Sequence, residues 1–405
     1  MIPRFKPCLG KEELLAALHP PRKDDVERFE CAFAELMGQR HALAFPYGRT
    51  GLMFLLEAMR LKDKEIICPA YTCAVVPHAI VYSGNTPVFV DCAPGEFNMN
   101  LDQAERAITD NTGAIIATSL FGYPVNLDRL DELREKYAHI PIIQDCAHSF
   151  AVEWEGRPVQ REGTAALFGL NISKILTSIF GGMVTTDDEA LYRKLKMLRD
   201  ETLRPASWKK DFRRLSYLTA VYPTFSEPIY GLVNRLERSG ILDYFTRYYD
   251  ASKIDMPSDY LQQMAPVEAR VGIVNASCYE RIIDNRRAAA RYYFNHLRDR
   301  LGFKLPPQVP GATYSHFVAQ VRDRNKWLQK GLCNGIQLGW LIEYSIPELP
   351  SYGGHGPGDF PVAGEYARTT INLPMWGGEK MAAKVVRKIV RDGYLGLDEL
   401  LCRNA

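Results

Sequence analysis

Hydrophobic positions between residues 42 and 186 follow two alternating periods. Short apolar runs predict buried strands, and the segments between them carry apolar residues at helical spacing. The predicted strands cover 42–45, 65–69, 87–91, 114–119, 140–145, 165–169 and 182–185. The predicted helices cover 52–59, 72–83, 101–108, 127–137 and a segment opened by Asp187 and Asp188. Strands separated by helices require right-handed crossovers, so the pattern predicts an α/β domain with a mostly parallel sheet between helices.

The segments on either side of this pattern divide the chain into three parts. Residues 11–40 read as a helical arm, and residues 256–405 mix helices with a strand at 316–321, which predicts a smaller α+β C-terminal domain. Residues 267–297 are predicted to be helical, and their arginines, Arg286 and Arg287 among them, fit a solvated face. We expect the arm and the large domain to cover 1–204, the insert 205–255 and the small domain 256–405.

The insert, residues 205–255, is rich in aromatic and basic side chains. Its ten aromatics are Trp208, Phe212, Tyr217, Tyr222, Phe225, Tyr230, Tyr244, Phe245, Tyr248 and Tyr249. The basic residues between them are Lys209, Lys210, Arg213, Arg214, Arg235, Arg238 and Arg247. Such helices pack at a subunit interface, cover an active-site mouth or lie on a membrane surface. Peripheral membrane contact through 205–255 therefore stays open.

Composition and charge narrow the classes of partner. The formal net charge of the 405 residues is +2, which indicates neither a nucleic-acid binder nor a polybasic membrane anchor. Nine cysteines lack CxxC or Cys/His spacing, so we expect reduced thiols and no metal site. The first residues lack a signal-peptide core, and no apolar run is long enough to span a membrane. We expect a cytoplasmic protein, with contact at the inner membrane face left open.

Two residues at predicted strand ends carry the candidate chemistry. Asp145 closes the apolar run 140–144, and Lys174 lies between the strand 165–169 and the Gly181-Gly182 pair. Ligands of open α/β sheets bind at the carboxyl ends of the strands. A lysine that bonds an aldehyde, with a carboxylate against a pyridine nitrogen, is the combination that pyridoxal 5'-phosphate needs. The alternatives are a solvated surface lysine and a helix-capping aspartate.

A second segment is suited to the phosphate of such a cofactor. Gly48, Arg49, Thr50 and Gly51 lead from the strand 42–45 into a helix. The first amides of a helix lack internal partners and favour an anion, and a guanidinium binds phosphate with two hydrogen bonds. The two glycines alone would fit any helix start, and Arg49 strengthens the interpretation.

An ordered set of motifs gives the chain a family resemblance. The set comprises EIICPAYT at 65–72, PVFVD at 87–91, QDCAH at 144–148, the Lys174 segment, FPVA at 360–363 and NLP at 372–374. Over roughly 30–204 and 256–390 the chain resembles the DegT/StrS-type aminotransferases, which are fold-type-I pyridoxal-phosphate enzymes. The resemblance implies a homodimer with active sites at the interface. It also implies transfer of an amino group from glutamate or glutamine to a keto sugar, usually nucleotide-linked.

Carried over by position, the resemblance assigns Lys174 and Asp145 the two roles given above. It places His148 where a side chain reaches the ring hydroxyl of the cofactor. The position of the aromatic residue that stacks on the ring falls at Cys73, with Tyr71 nearby.

The phosphate ligands differ from the family pattern. The serine expected five places before the lysine is Gly169, and Ser173 is a spare candidate. We predict that Arg49, with Thr50 and the helix amides at Gly48, supplies the missing phosphate contacts. A charge-assisted hydrogen bond is about twice as strong as a neutral one, so one arginine can offset the losses.

These observations predict an aminotransferase that acts on a keto sugar or related carbonyl in glycan, lipid-linked sugar or secondary-metabolite biosynthesis. Glu343 stands where the family often has a histidine, so the sugar nucleotide is the less certain part. Three alternatives stay open: a dehydratase or eliminase with the same cofactor, a non-catalytic regulator that keeps the fold, and a Rossmann-type dehydrogenase. The last is disfavoured because no GxGxxG follows the first strand.

Overall fold

The computed structural model describes residues 1–239, 250–298, 304–356 and 358–391. Within them the strands are β1 (His41–Phe45), β2 (Glu65–Pro69), β3 (Thr86–Val90), β4 (Thr112–Thr118), β5 (Ile142–Asp145), β6 (Glu153–Trp154), β7 (Arg157–Pro158), β8 (Ala165–Gly169), β9 (Gly182–Thr186), β10 (Phe317–Gln320) and β11 (Thr370–Leu373). The seven predicted strands of the large domain correspond to β1 to β5, β8 and β9, with ends that differ by two residues at most.

Those seven strands form one sheet in the order β1-β9-β8-β5-β4-β2-β3. The pairs from β8 to β3 are parallel, and β9 runs antiparallel to both of its neighbours. All seven residues of β4 are buried, as expected for a central strand that helices cover on both faces. The predicted α/β class with a mostly parallel sheet is confirmed.

The helices of the described ranges surround this sheet and form the rest of the chain. They are α1 (Lys11–Leu18), α2 (Asp25–Met37), α3 (Gly48–Ala58), α4 (Val75–Tyr82), α5 (Leu101–Arg106), α6 (Leu127–Lys136), α7 (Glu189–Thr202), α8 (Trp208–Val221), α9 (Glu227–Arg238), α10 (Pro266–Ser277), α11 (Tyr279–Leu297), α12 (Arg324–Cys333), α13 (Pro361–Thr369) and α14 (Gly378–Arg391). Short 3-10 turns lie at Leu120–Gly122, Val159–Arg161, Tyr222–Phe225, Ile346–Glu348 and Pro350–Tyr352. Among the described helices, none has the combination of length and apolar character needed to cross a membrane.

The C-terminal part shares a hydrophobic core with the large domain. The antiparallel pair β10 and β11 packs with α11, α13 and α14, and its buried residues include Tyr293, Phe317 and Ile371. Tyr71 and Phe121 from the large domain belong to the same cluster, so the two parts meet behind the carboxyl edge of the sheet. The domain limits at 204 and 255 stay predictions.

The helical structure predicted over 267–297 is confirmed. It consists of two helices, α10 and α11, which meet at Cys278. Helix α10 packs against α1 and α2, whereas α11 packs against α14. The sequence does not reveal the break, because no proline or glycine lies between Ile273 and Arg281. The break lets one segment support the arm and the next support the small domain.

Candidate active site

The predicted site residues follow the carboxyl ends of parallel strands. Asp145 is the last residue of β5, and β8 ends at Gly169 before the loop that carries Lys174. Strand β1 ends at Phe45, two residues before the cap of α3. Because β5 and β8 are adjacent, the loop after β8 brings Lys174 within electrostatic range of Asp145.

Asp145 is a buried carboxylate held by two hydrogen bonds. Its Oδ1 accepts from the backbone N–H of Ala147 at 3.1 Å, and its Oδ2 accepts from the hydroxyl of Thr118 at 3.4 Å. Burial raises the pKa of Asp145, although the Ala147 N–H, the Lys174 cation and the Thr118 hydroxyl act in the opposite direction. A carboxylate in this setting is poised to share a proton with a basic atom of a ligand.

Lys174 sits on a tight loop built by Asn171. The backbone N–H of Lys174 donates to the Asn171 carbonyl at 2.9 Å, while Asn171 Oδ1 accepts from the backbone N–H of Ser173 at 3.0 Å. A Cβ at Gly169 would lie 3.2 Å from Lys174 Cε, so the glycine leaves room for the lysine stem. Burial lowers the pKa of Lys174, which increases the share of neutral, nucleophilic amine.

His148 lies on the same side of the site as Lys174. Its Nδ1 accepts from the backbone N–H of Phe121 at 3.4 Å, and its ring stacks on the Phe121 ring with the centroids 6.0 Å apart. Phe121 has φ of 56°, a strained value for a residue with a side chain. Burial, the Lys174 cation and His316 hold the pKa of His148 well below its ordinary value. The ring is therefore neutral at physiological pH.

The start of α3 has the features of an anion site. Arg49 is partly buried, and among the described residues its one hydrogen bond is to the Asp255 carbonyl, at 3.4 Å. The hydroxyl of Thr50 is buried without a hydrogen-bond partner in the part of the chain that is described. No side chain caps the first amides of the helix. An unneutralised guanidinium, an unsatisfied hydroxyl and uncapped amides together fit a phosphate group.

Gly48 lets this helix start lie against the end of the Lys174 loop. A Cβ at Gly182 would lie 2.3 Å from the Gly48 nitrogen, and a Cβ at Gly48 would lie 3.3 Å from the Phe168 carbonyl oxygen. The Gly181-Gly182 pair therefore fixes the distance between the lysine loop and the phosphate cradle, for which any side chain would be too large.

Three further predicted residues have different surroundings. Tyr71 is fully buried, and its hydroxyl contacts the Ile342 carbonyl at 3.3 Å and the Thr370 hydroxyl at 3.1 Å. The Ser173 hydroxyl donates to Asn171 Oδ1 at 2.6 Å. Cys73 is half-buried and lies within electrostatic range of both Lys174 and Arg49. Cys73 thus faces the site. Cofactor contacts of all three stay predictions.

The insert reaches the site through α8. Arg214 Nη2 donates to the Tyr47 hydroxyl at 2.8 Å and to Asp259 Oδ2 at 2.9 Å, and its Nε donates to Glu268 at 2.9 Å. The Tyr47 hydroxyl in turn donates to Asp259 Oδ1 at 2.6 Å. Tyr47 caps α3, so this buried cluster connects the insert to the phosphate cradle.

Other parts of the insert differ in their exposure. Lys210 is 2% exposed and donates to the backbone carbonyls of Gln262 and Gln263, whereas Trp208 and Phe212 are 75% and 64% exposed. Two of the predicted basic residues, Lys210 and Arg214, therefore serve internal packing. The predicted residues Tyr244, Phe245, Arg247, Tyr248 and Tyr249 lie outside the described residues.

Sequence reasoning missed two basic residues near Lys174. The centroid of the His316 ring lies 5.1 Å from that of His148, and Arg286 Nη1 donates to the Ser315 carbonyl at 2.7 Å. The predicted solvated face is wrong for Arg286, which is partly buried. The signal that could have found Arg286 is its unmatched charge. The residues three and four positions away on helix α11 are all apolar: Ile282, Ile283, Ala289 and Ala290.

Comparisons with known proteins identify the family of the chain. Residues 22–392 match the sequence profile described as the DegT/DnrJ/EryC1/StrS aminotransferase family. The chain spans about half the length of the curated relatives it matches. One of them, the GDP-perosamine synthase of Caulobacter vibrioides, is 33% identical over 181 residues, which are 44% of this chain and 48% of that protein.

Solved structures share the fold over nearly the whole chain. The sugar aminotransferase Spr1654 from Streptococcus pneumoniae, in a PLP form, superposes with a TM-score of 0.73 at 18% identity and covers 94% of this chain and 96% of its own. The structure of GDP-4-keto-6-deoxymannose-3-dehydratase (ColD) has a TM-score of 0.73 at 16% identity, with 96% and 100% covered. At these identities the likeness concerns the fold alone.

Proposed function

Since the chain belongs to the DegT/DnrJ/EryC1/StrS aminotransferase family, we propose that it is a pyridoxal-phosphate-dependent aminotransferase. The amino group comes from an amino acid, glutamate or glutamine, and goes to a keto sugar or related carbonyl compound. The GDP-perosamine synthase relative supports a sugar substrate. The observation that carries the proposal is the position of Lys174 beside Asp145, at the sheet edge next to an anion cradle whose arginine has no ion pair with any described residue.

The residues of this edge fit pyridoxal 5'-phosphate. Arg49, the Thr50 hydroxyl and the first amides of α3 would bind the phosphate, and Asp145 would hold a proton on the ring nitrogen. His148 would contact the ring hydroxyl, and Lys174 would bind the cofactor covalently. When bound, the cofactor supplies an electron sink that stabilises negative charge on the α-carbon of an amino acid.

Lys174 is the proposed base at the donor's α-carbon. A lysine must be neutral to accept a proton, and burial lowers the pKa of Lys174 in that direction. The loop that Asn171 stabilises keeps the amine at one position, so the same group can take the proton from one carbon and deliver it to another.

The proposed assembly is a cytoplasmic homodimer with the sites at the subunit interface. It follows from the family, and the exposed apolar side chains of Trp208 and Phe212 are compatible with a covered surface. Since Lys210 and Arg214 point inward, a membrane-facing role of the insert would rest on Trp208, Phe212 and their exposed neighbours. Sedimentation with anionic vesicles distinguishes the two roles.

The test uses the absorption spectrum of the purified protein. Wild-type protein loaded with pyridoxal phosphate should change its spectrum when glutamate or glutamine is added without an acceptor, and the matching keto acid should appear. Lys174→Ala should abolish both the change and turnover. Full turnover in that variant contradicts the proposal.

The same assay separates the dehydratase alternative, which the ColD fold keeps relevant. An aminotransferase consumes one amino donor for each acceptor converted. A keto product formed from a sugar substrate without consumption of a donor would identify elimination chemistry instead.

A further inference from the structure

His148 and His316 lie within electrostatic range of Lys174, and Arg286 lies within the same range of His316. The rings of His148 and His316 lie 5.1 Å apart, and His316 Nδ1 lies 3.2 Å from the Ser315 hydroxyl. Arg286 donates to the carbonyl of Ser315 at 2.7 Å, so its guanidinium is next to the His316 backbone. Groups from three separate segments, the loop after β5, helix α11 and the start of β10, thus converge on one place.

These charges lack acidic partners. Among the described residues, no carboxylate lies within ion-pair distance of Arg286, His148, His316 or Lys174. Burial lowers the pKa of Arg286 to about 10, and the thiol of Cys8 acts in the opposite direction. Burial, followed by the cations of Arg286, Lys174 and Arg4, holds the pKa of His316 well below its ordinary value.

Other buried arginines of this chain are neutralised. Arg214 pairs with Asp259 and Glu268, Arg199 with Glu30 and Asp200, and Arg270 with Asp25. A buried guanidinium without such a partner is costly, unless an anion completes it when the protein works. Arg49 fits the same rule at the other end of the site, where phosphate is the proposed anion.

We propose that Arg286 and His316, bordered by His148, form a carboxylate-binding subsite that holds the amino donor next to Lys174. The inference rests on the proposed aminotransferase function and adds the group by which the donor is recognised. Planar guanidinium and carboxylate groups match in a two-bond fork, and the neutral His316 ring can donate one N–H. The subsite and the Arg49 cradle lie on different elements, α11 with the start of β10 and the start of α3.

The test compares Arg286→Gln with Arg287→Gln, one residue along the same helix. Arg287 donates to the Ala151 carbonyl at 2.9 Å and is the matched control. Loss of one charge-assisted fork should raise the Kd for glutamate about 10- to 100-fold, measured from the spectral change without acceptor. Arg287→Gln should stay near the wild-type value, and both variants should keep the cofactor spectrum. Arg286→Lys, which retains the charge, should recover part of the affinity.

A second measurement does not depend on the reaction. Calorimetric titration of cofactor-free protein with glutarate should give weaker binding for Arg286→Gln than for wild type. Amides of glutamate identify which of its two carboxylates is recognised. The amide that replaces this carboxylate should bind the wild-type protein weakly, and Arg286→Gln should reduce its affinity little further.

The outcomes separate this inference from the proposed function. An unchanged Kd for glutamate in Arg286→Gln, or an equal loss in Arg287→Gln, overturns the subsite. If Arg286→Gln weakens glutarate binding but leaves the Kd for glutamate unchanged, the subsite binds a carboxylate of the acceptor. That result overturns the assignment of the subsite to the amino donor. A wild-type protein that binds glutarate through Arg286 but shows no spectral response to any amino acid contradicts the aminotransferase and leaves a carboxylate site.

Discussion

At the scale of single residues, burial of charge distinguishes the site from the surface. Asp145 and Lys174 are taken out of water at one sheet edge, and burial shifts the pKa of each toward its neutral form. Arg49 and Arg286 bracket them as unpaired cations among the described residues. Perturbed ionisable groups that cluster without satisfying one another are typical of functional sites, whereas structural pairs neutralise one another.

Asp145→Asn keeps the shape of the side chain and removes its charge. The amide oxygen can still accept from Ala147, so we expect the fold and cofactor binding to persist. Without the carboxylate, the proton on the cofactor's ring nitrogen loses its partner, and turnover should fall about 100-fold or more. Steady-state kinetics and the cofactor spectrum check this. Asp188→Asn, at the cap of α7, is the control and should keep turnover; near-normal activity of Asp145→Asn would remove Asp145 from its role.

His148 and His316 predict how the cofactor-free protein responds to acid. Both pKa values are held well below 6.5 by burial and by the cations of Lys174, Arg286 and Arg4. Below pH 6.5 these histidines therefore bind protons in the unfolded chain but not in the folded chain. The free energy of unfolding decreases as the pH is lowered. Each histidine should contribute a slope approaching ~1.4 kcal/mol per pH unit. Urea unfolding at pH 7.5, 6.5 and 5.5 should show a shallower decline for His148→Gln/His316→Gln; parallel declines would contradict the assigned shifts.

At the scale of elements, the sheet could be predicted and its connections to the insert could not. Strand β2 matches its predicted bounds, because apolar runs identify central strands directly. The inward direction of Lys210 and Arg214 escaped prediction because their partners, Asp259, Glu268 and the carbonyls of Gln262 and Gln263, come some 45–54 residues later. The hydrophobic period of a helix identifies its polar face. It does not show that ion pairs with distant residues bury part of that face.

The same reason explains which site residues were found. Asp145 and Lys174 follow strand ends, and such positions are readable from the chain. Arg286 and His316 are brought to Lys174 by the packing of the small domain against the large one, which no local pattern encodes. These two residues could be identified as site residues only from their contacts in the folded structure.

Helix α8 should be coupled to the phosphate cradle through Arg214. Removal of one partner from a buried ion cluster leaves the other charges uncompensated, so Arg214→Met should lower the free energy of unfolding by about 3–5 kcal/mol. Because Arg214 also holds the Tyr47 hydroxyl, affinity for pyridoxal phosphate should fall as well.

Two variants make this prediction specific. Arg213 contacts the same Asp259 oxygen at 3.0 Å but its side chain is 59% exposed, so Arg213→Met should cost about 0–1 kcal/mol. Tyr47→Phe removes only the shared hydroxyl and should weaken cofactor binding while most of the stability remains. Chemical unfolding and a cofactor titration by absorbance measure both effects. Equal losses for Arg213→Met and Arg214→Met would contradict the burial argument.

At the scale of the whole molecule, the phosphate cradle bears on how the proposed homodimer works. Arg49, Thr50 and the amides of α3 all belong to one chain, and Arg49 offers a full positive charge to the phosphate. The Kd for pyridoxal phosphate should therefore be the same above and below the concentration at which the dimer dissociates. Light scattering defines that concentration, and a cofactor titration on each side of it gives the two constants.

Substitution of Arg49 makes the comparison decisive. In Arg49→Gln the cradle loses its cation, and the Kd should rise about 10- to 100-fold at every protein concentration. Arg60→Gln, a substitution on the surface just beyond α3, is the control and should leave the Kd unchanged. If the wild-type constant instead weakens on dilution and Arg49→Gln has little effect, the partner subunit supplies the phosphate ligand and the single-chain cradle is wrong.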